Sequence, residues 1–409
     1  MQVSGGCPHF GGGSDGVTTG RVFIQRIVVL GALCLVFSLN GTDDVRGEED
    51  LLQKELLAGM DLIHNCDIRG GEEIFDRIID REPDNPAPYI YKAMAYLSMP
   101  PREDEDGVPR PDEKEVGELL ITGTELAAVY SWEDDDRGRG ELLMATGFSL
   151  LAQLYQAQKK YLPAAEAALK AAGHIDRAYA LTPDDPDVLY ARGLLLYGLA
   201  TMPDVARSLL SLLQMRGDKD EGLALISRAA ADGVYTAASA KMSLLFVLVN
   251  MEHDFNRAIP HGEALVELYP NNPEIYFPYS YALSMAGDPD GALEVAAELR
   301  DGIDRGLPYF DDAIVPRYYH LVGKIYMDRG EYDRAVAAFE EALTVTDVNY
   351  EWVRALALAR LGMIADIRGD REAAVKYYGR VIDEDIPGVG LELLKKFLTT
   401  PYDGTNEFE

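Results

Sequence analysis

Residues 316–349 read PRYYHLVGKIYMDRGEYDRAVAAFEEALTVTDVN. Tyr319, Val322 and Tyr326 recur at spacings of three and four, as do Tyr332, Ala335 and Phe339, while Gly323, Ala335 and Ala342 place small residues among the large ones. That is the pattern of two short amphipathic helices folded against each other, with small residues where their axes approach. One such hairpin cannot bury its apolar face alone. It needs neighbours of the same kind, and a period of this length implies a stacked solenoid.

Neighbours are found on both sides. The segment Ser239–Asn272 carries Met242, Phe246, Val249, Ala258, Leu265 and Pro270. The next opens at Pro273, 34 residues on, with Tyr276, Ser280, Leu283, Ala292, Ala296 and Leu299. A last one from Ala355 has Leu358, Gly362, Ala365, Ala374, Tyr378 and Val381, and a short helix at Leu391–Leu398, with Lys395 and Lys396 near its carboxyl end, is placed to cap the stack. Upstream the phase is looser. Leu52–Asn85 fits one unit through Gly59, Gly71, Phe75, Ile78 and Pro83, and Asp84-Asn85-Pro86 stops one helix and starts the next. Tyr89, Ala93 and Tyr96 open a second unit, interrupted by the Pro- and acid-rich residues 99–114 before a helix over 115–130. Phe148, Ala152 and Tyr155 pair with Ala164, Ala168 and Ala171 in a third. Leu189, Gly193 and Leu196 open a fourth, whose partner helix with Gly222, Ile226 and Ala229 arrives 17 residues late; the extra segment is apolar enough for an inserted helix over Val205–Met215.

The fold expected is therefore all-α, a helix-turn-helix solenoid of about seven to eight helix pairs with insertions. It divides into an irregular block over 48–180, a regular block over 183–388, and a capping helix and tail over 389–409. With a large residue at the fourth position, small ones at the eighth, twentieth and twenty-seventh, and aromatics between, residues 316–349 resemble the tetratricopeptide repeat. Gly193, Tyr197, Pro203, Gly217-Asp218, Gly222-Leu223 and Tyr269-Pro270-Asn271-Asn272-Pro273 carry a narrower resemblance over residues 183–300. It is to a group of bacterial tetratricopeptide proteins similar to the eukaryotic outer-mitochondrial-membrane and inclusion-clearance tetratricopeptide family. The resemblance implies a non-catalytic helical interaction protein. A weaker likeness is to the helical repeat lipoprotein accompanying some periplasmic solute transporters, although Leu33 stands before Cys34 where a lipobox needs a small residue.

The formal charge of -31 over 409 residues repels phosphate backbones and anionic headgroups, which argues against nucleic acid as a partner. Arg21 and Arg26 precede the apolar run Ile27–Leu39, thirteen residues spanning about 20 Å as a helix, shorter than a membrane core. Residues 1–41 thus read as a signal peptide or N-terminal anchor, with a membrane tether through 22–39 as one outcome and a start nearer Arg21 or Val22 as the expected beginning. The location expected is exported, periplasmic or cell-envelope. Beyond that segment Cys66 is alone, so no internal disulfide forms, and a lone cysteine near a helix end reads as a packing residue.

Catalytic constellations are missing from the pattern. His9, His64, His174, His253, His261 and His320 form no H-E-x-x-H, and Glu252-His253-Asp254 falls in a turn. Calcium loops begun at Asp104 or Asp134 would place Pro109 or Arg139 where glycine is needed. No enzyme activity, metal or cofactor is expected.

Binding then falls to the concave face lined by the first helix of each pair. In the units at Pro273 and Pro316 its positions are Glu274, Phe277, Tyr281 and Ser284, and Arg317, His320, Lys324 and Met327. The function expected is a scaffold for a protein or peptide partner. Phe277 and Tyr281 would anchor the partner, Arg317 and Lys324 would receive its acidic group, His320 would line the same face, and Leu209, Leu210 and Leu213 of the inserted helix would offer an apolar patch. The alternative is a solute-binding accessory of a transport system, with a small ligand near residues 99–114 and 131–140. Self-association is left open.

Overall fold

The computed structural model describes residues 45–98, 111–130, 137–212, 214–312, 314–344, 351–383 and 391–404. The apolar run 27–39, the proposed start, and the loops 99–110 and 131–136 lie outside them. Among the described residues there are eighteen helices and no strand. They are α1 (Val45–His64), α2 (Ile68–Arg81), α3 (Pro86–Ser98), α4 (Glu113–Tyr130), α5 (Arg137–Ala157) and α6 (Tyr161–Leu181). Then come α7 (Pro186–Thr201), α8 (Asp204–Leu212), α9 (Lys219–Asp232), α10 (Ala237–Asn250), α11 (Phe255–Leu268) and α12 (Pro273–Met285). The last six are α13 (Pro289–Asp304), α14 (Val315–Asp328), α15 (Tyr332–Ala342), α16 (Glu351–Ile367), α17 (Arg371–Asp383) and α18 (Leu391–Thr399). Successive helices pair into eight hairpins, α7 pairing with α9 across the inserted α8, and α18 caps α17. None of these helices is long and apolar enough to cross a membrane.

Two local devices repeat along the stack. Three first helices begin at an Asn-Pro or Asp-Pro turn, where the side chain before proline accepts the second helical amide: Asn85 from Ala87, Asp185 from Asp187 and Asn272 from Glu274, at 2.9–3.1 Å. Proline at the first position loses nothing there, because its amide would have no helical partner. Second helices start on aspartate: Asp67, Asp218, Asp254, Asp288 and Asp370 each cap the amide three residues on. Part of the chain's acidity thus sits at helix amino ends, where the helix dipole favours it. Between the paired helices one residue turns left-handed, at Cys66 (φ 65), Lys159 (φ 59), His253 (φ 52), Gly287 (φ 92), Gly330 (φ 72) and Gly369 (φ 77). Cys66 is buried in this turn, and His253 serves the turn as backbone.

Within hairpins a glycine of the first helix lies under an aromatic ring of the second. A methyl added at Gly59, Gly323 or Gly362 would lie 2.6, 2.7 or 2.5 Å from Phe75, Phe339 or Tyr378. Each pair is sixteen residues apart, and all three rings are fully buried. In the fourth hairpin the same crossing is made by two glycines, Gly193 against the Gly222 carbonyl, so α8 is added outside the crossing without disturbing it. In the third hairpin the packing phase differs from the expected one: Ala167, Ala171, Ala172 and Ile175 are buried, whereas Ala168 is exposed. The polyalanine composition of α6 offers several equivalent faces, and its contact with α5 selects this one.

Hairpins one to five curl into a ring. The turn after α1 meets the turn before α12: the Tyr269 hydroxyl donates to Asp61 at 2.7 Å, the Asn272 amide to the His64 carbonyl at 2.9 Å, and the Asn271 backbone to Asn65 at 3.0 Å. Two first helices of this ring are buried nearly all round, over residues 142–147 of α5 and 187–191 of α7. Such a helix belongs to an interior and not to the wall of an open groove. The concave face expected along the whole stack is accordingly filled here.

Candidate functional site

Hairpins six and seven keep a sided arrangement. Tyr276 and Leu283 of α12, and Leu321 and Val322 of α14, are buried in one apolar cluster, while Phe277, Tyr281, Arg317 and Lys324 are half-buried on the adjoining face. The Arg317 guanidinium lies 3.9 Å from the centre of the Phe277 ring and donates to both oxygens of Glu274, at 2.6 and 2.9 Å. Two turns along α14, Lys324 stands 5.8 Å from the Tyr281 ring and donates to Asp328 at 2.6 Å. Tyr281 also meets Phe255 edge to face at 5.9 Å. Four of the expected residues are thus brought together as two rungs joining neighbouring first helices.

In the outer rung the cation is the covered member: the Arg317 side chain is 14% exposed and Glu274 53%. Arg317 and Lys324 were expected to face a partner's acidic group; both are engaged by carboxylates of this chain, which present themselves outward in that role. A ring sandwiched by a guanidinium is worth about 1 kcal/mol beyond its area, so the rungs also stiffen the joint between hairpins.

His320 does not line the open face. It is packed between α14 and α16, accepting at Nε2 from Arg360, with Phe339 and Trp352 rings each 6.0 Å away. Burial first, then the Arg360 charge, holds its imidazole well below the usual histidine range, so it is neutral. Burial also brings Arg360 down to about 10. The helical spacing that placed His320 on the groove is correct for an isolated hairpin, but α16 covers that position.

The inserted helix is shorter than expected, ending at Leu212. Its Leu210 is half-buried, with Val205 and Leu212 75% and 79% exposed. The side chain of Leu209 and all of residue 213 lie outside the described residues. Two recesses open beside α4. One of about 840 Å³ is lined by Gly117, Ile121, Leu154 and Tyr155 with Asp112 and Lys160 at its edge, and one of about 340 Å³ by Tyr89, Lys92, Tyr96 and Leu119. They adjoin residues 99–110, where a small ligand was expected, but both are open troughs. No cluster able to hold a metal ion occurs among the described residues.

The buried polar groups of the ring were not singled out by spacing. Asp187 is fully buried; its Oδ1 accepts from the Tyr235 and Thr236 amides and from the Thr236 hydroxyl at 2.6 Å, while its Oδ2 has no partner. Burial pushes its carboxyl up to about 7, against the pull of those hydrogen bonds. Tyr190 donates into the Ser239 carbonyl and shares a 2.7 Å hydrogen bond with Ser243. A signal existed in the sequence: DVLYARGLLLYGLA and SLLFVLVN are apolar on every helical face.

Residues 316–346 match the tetratricopeptide repeat family, and the described residues as a whole form an all-α helical repeat. Similar solved structures include a tetratricopeptide repeat protein from Parabacteroides merdae, 16% identical over 74% of this chain and 96% of that one, with a TM-score of 0.32. The APC/C hetero-tetramer Cut9-Hcn1 is 14% identical over 83% and 78%, at 0.27, and yeast Tom70 11% identical over 86% and 95%, at 0.26. No curated protein matches the sequence.

Proposed function

We propose that this chain is a non-catalytic scaffold whose sixth and seventh hairpins bind a protein partner across the face formed by α12 and α14. The observation that carries this is the pair of rungs: Phe277 with Arg317 and Tyr281 with Lys324 are half-buried, one turn apart on α12 and two on α14, and the two cations are held by Glu274 and Asp328. Aromatic and arginine side chains fixed in place lose little entropy when a partner closes over them. An extended or helical peptide suits such a shallow face. The exposed Val205 and Leu212 of α8 are a second apolar area available to a partner. We place the protein in the cell envelope through residues 22–39, on the strength of the apolar run that follows Arg21 and Arg26.

The test is capture of partners from membrane and periplasmic fractions by the full chain and by a Phe277→Ala, Tyr281→Ala variant. Loss of specific partners from the variant is expected, with far-ultraviolet circular dichroism unchanged. Identical partners in both would overturn the assignment of the face.

A further inference from the structure

The contact that closes the ring joins two turns about 200 residues apart in the chain and has a histidine at its centre. His64 lies 5.3 Å from the Tyr269 ring, with Ser239 Oγ 3.4 Å from its Nε2, and its Nδ1 is buried without a hydrogen-bond partner. The neighbouring groups are committed. The Tyr269 hydroxyl donates to Asp61, the Asn272 amide to the His64 carbonyl, and the Asn271 backbone to Asn65. Apart from this contact, the α1–α2 hairpin leans mainly on α3. We propose that the α1–α2 hairpin is a latch that releases the 269–272 turn in acid and so opens the ring of the first five hairpins.

Protonation of His64 supplies the force. From its own helix Asp61 faces it; from the 269–272 turn, Tyr269, Asn271 and Asn272; from α10, Ser239. Of these only Asp61 is charged, and it favours the imidazolium. Burial outweighs that attraction and pushes His64 down to about 4 from 6.5. The sign follows: the closed ring binds fewer protons than the released hairpin, so closure is at full strength above pH 6.5. It weakens as pH falls through 4, by up to about 300-fold in the opening equilibrium. The inference goes beyond partner binding at hairpins six and seven and does not depend on it.

Cys66, buried in the released turn, reports the event. Alkylation of the full chain is followed by peptide-resolved mass spectrometry, which separates Cys66 from Cys7 and Cys34, and each rate is divided by that of urea-unfolded protein at the same pH. The corrected Cys66 rate is expected to rise more than tenfold between pH 7 and pH 4.5 in wild type and to be flat in His64→Gln. Asn272→Ala should raise it at pH 7 as well. Hydrogen exchange in residues 319–342 serves as the control and should stay slow throughout. A Cys66 rate indifferent to pH, an equal rise in His64→Gln, or a rise accompanied by loss of protection in 319–342 would each overturn the latch.

Discussion

Hairpins one to five and hairpins six to eight solve the same local problem with different residues. At the left-handed position between paired helices the later hairpins use Gly287, Gly330 and Gly369, and the earlier ones use Cys66, Lys159 and His253. The first helices differ too. Those of α12 and α14 have one buried and one half-exposed side, whereas α5 and α7 are enclosed over several turns; α16, beside the capping helix, is enclosed as well. Hairpins six and seven have to satisfy only their neighbours, so their sequence keeps the regular period. A hairpin in the ring also packs across the ring, and this second demand overwrites the period with apolar residues on all sides.

The sharpest way to separate the two regions is through Asp187, which holds the Tyr235–Thr236 turn before α10 from inside the ring. Its carboxyl titrates near 7 when folded, against 3.8 for an ordinary aspartate, so the folded state binds more protons across that window. Its contribution is therefore complete below pH 3.8 and is lost as pH rises through 7. By linkage the loss amounts to about 4 kcal/mol at most. Asp187→Asn should lack that fall while wild type shows it, in urea titrations at pH 4.5 and pH 8. Equal falls in both proteins would remove Asp187 as the cause.

The later stack should fail from its end. Asp366 is fully covered and holds Arg371 at 2.8 Å, the Tyr378 hydroxyl at 3.0 Å and the Tyr402 amide at 2.8 Å, which moors α18 and the following segment to hairpin eight. Asp366→Ala leaves Arg371 without this carboxylate and should cost about 3 kcal/mol. Hydrogen exchange should accelerate in α16–α18 and not in α5 or α7. Acceleration spread through the ring would show that the two regions unfold as one.

The glycine crossings allow a smaller contrast. A methyl at Gly323 must displace the buried Phe339 ring, at a cost of about 2 kcal/mol. Gly198, in the same kind of helix, has open space around it, so Gly198→Ala should be neutral or stabilise by about 0.5 kcal/mol. Thermal midpoints that move equally in both variants would contradict the packing role of Gly323.

These contrasts follow what could be read from the residues alone. The hairpins over 239–383 were legible because glycine, alanine and aromatic residues recur at one period, and Gly323 under Phe339 is the physical meaning of that recurrence. The pairing of Phe277, Tyr281, Arg317 and Lys324 on one face was legible in the same way, since helical spacing fixes which residues share a side. His320 shares that side too, and only the approach of α16, which no spacing within α14 records, removes it from the open face. Ring closure was illegible for the same reason: Asp61 and Tyr269 are 208 positions apart, and nothing local to either names the other.

The smallest effect bears most directly on why the two regions use different turn residues. A non-glycine residue in the left-handed region costs about 1 kcal/mol, and glycine avoids that while giving the unfolded chain more freedom. The net gain expected for Lys159→Gly or His253→Gly is about 0.5 kcal/mol, and Gly330→Ala should lose about as much. Both sets are read from urea midpoints at neutral pH. If glycine at 159 and 253 stabilises as predicted, the ring hairpins carry strain that the later ones have shed, and the ring is held by its cross-packing in spite of its turns. If it destabilises, the Lys159 and His253 side chains contribute contacts that outweigh the backbone cost, and the turns themselves take part in closing the ring.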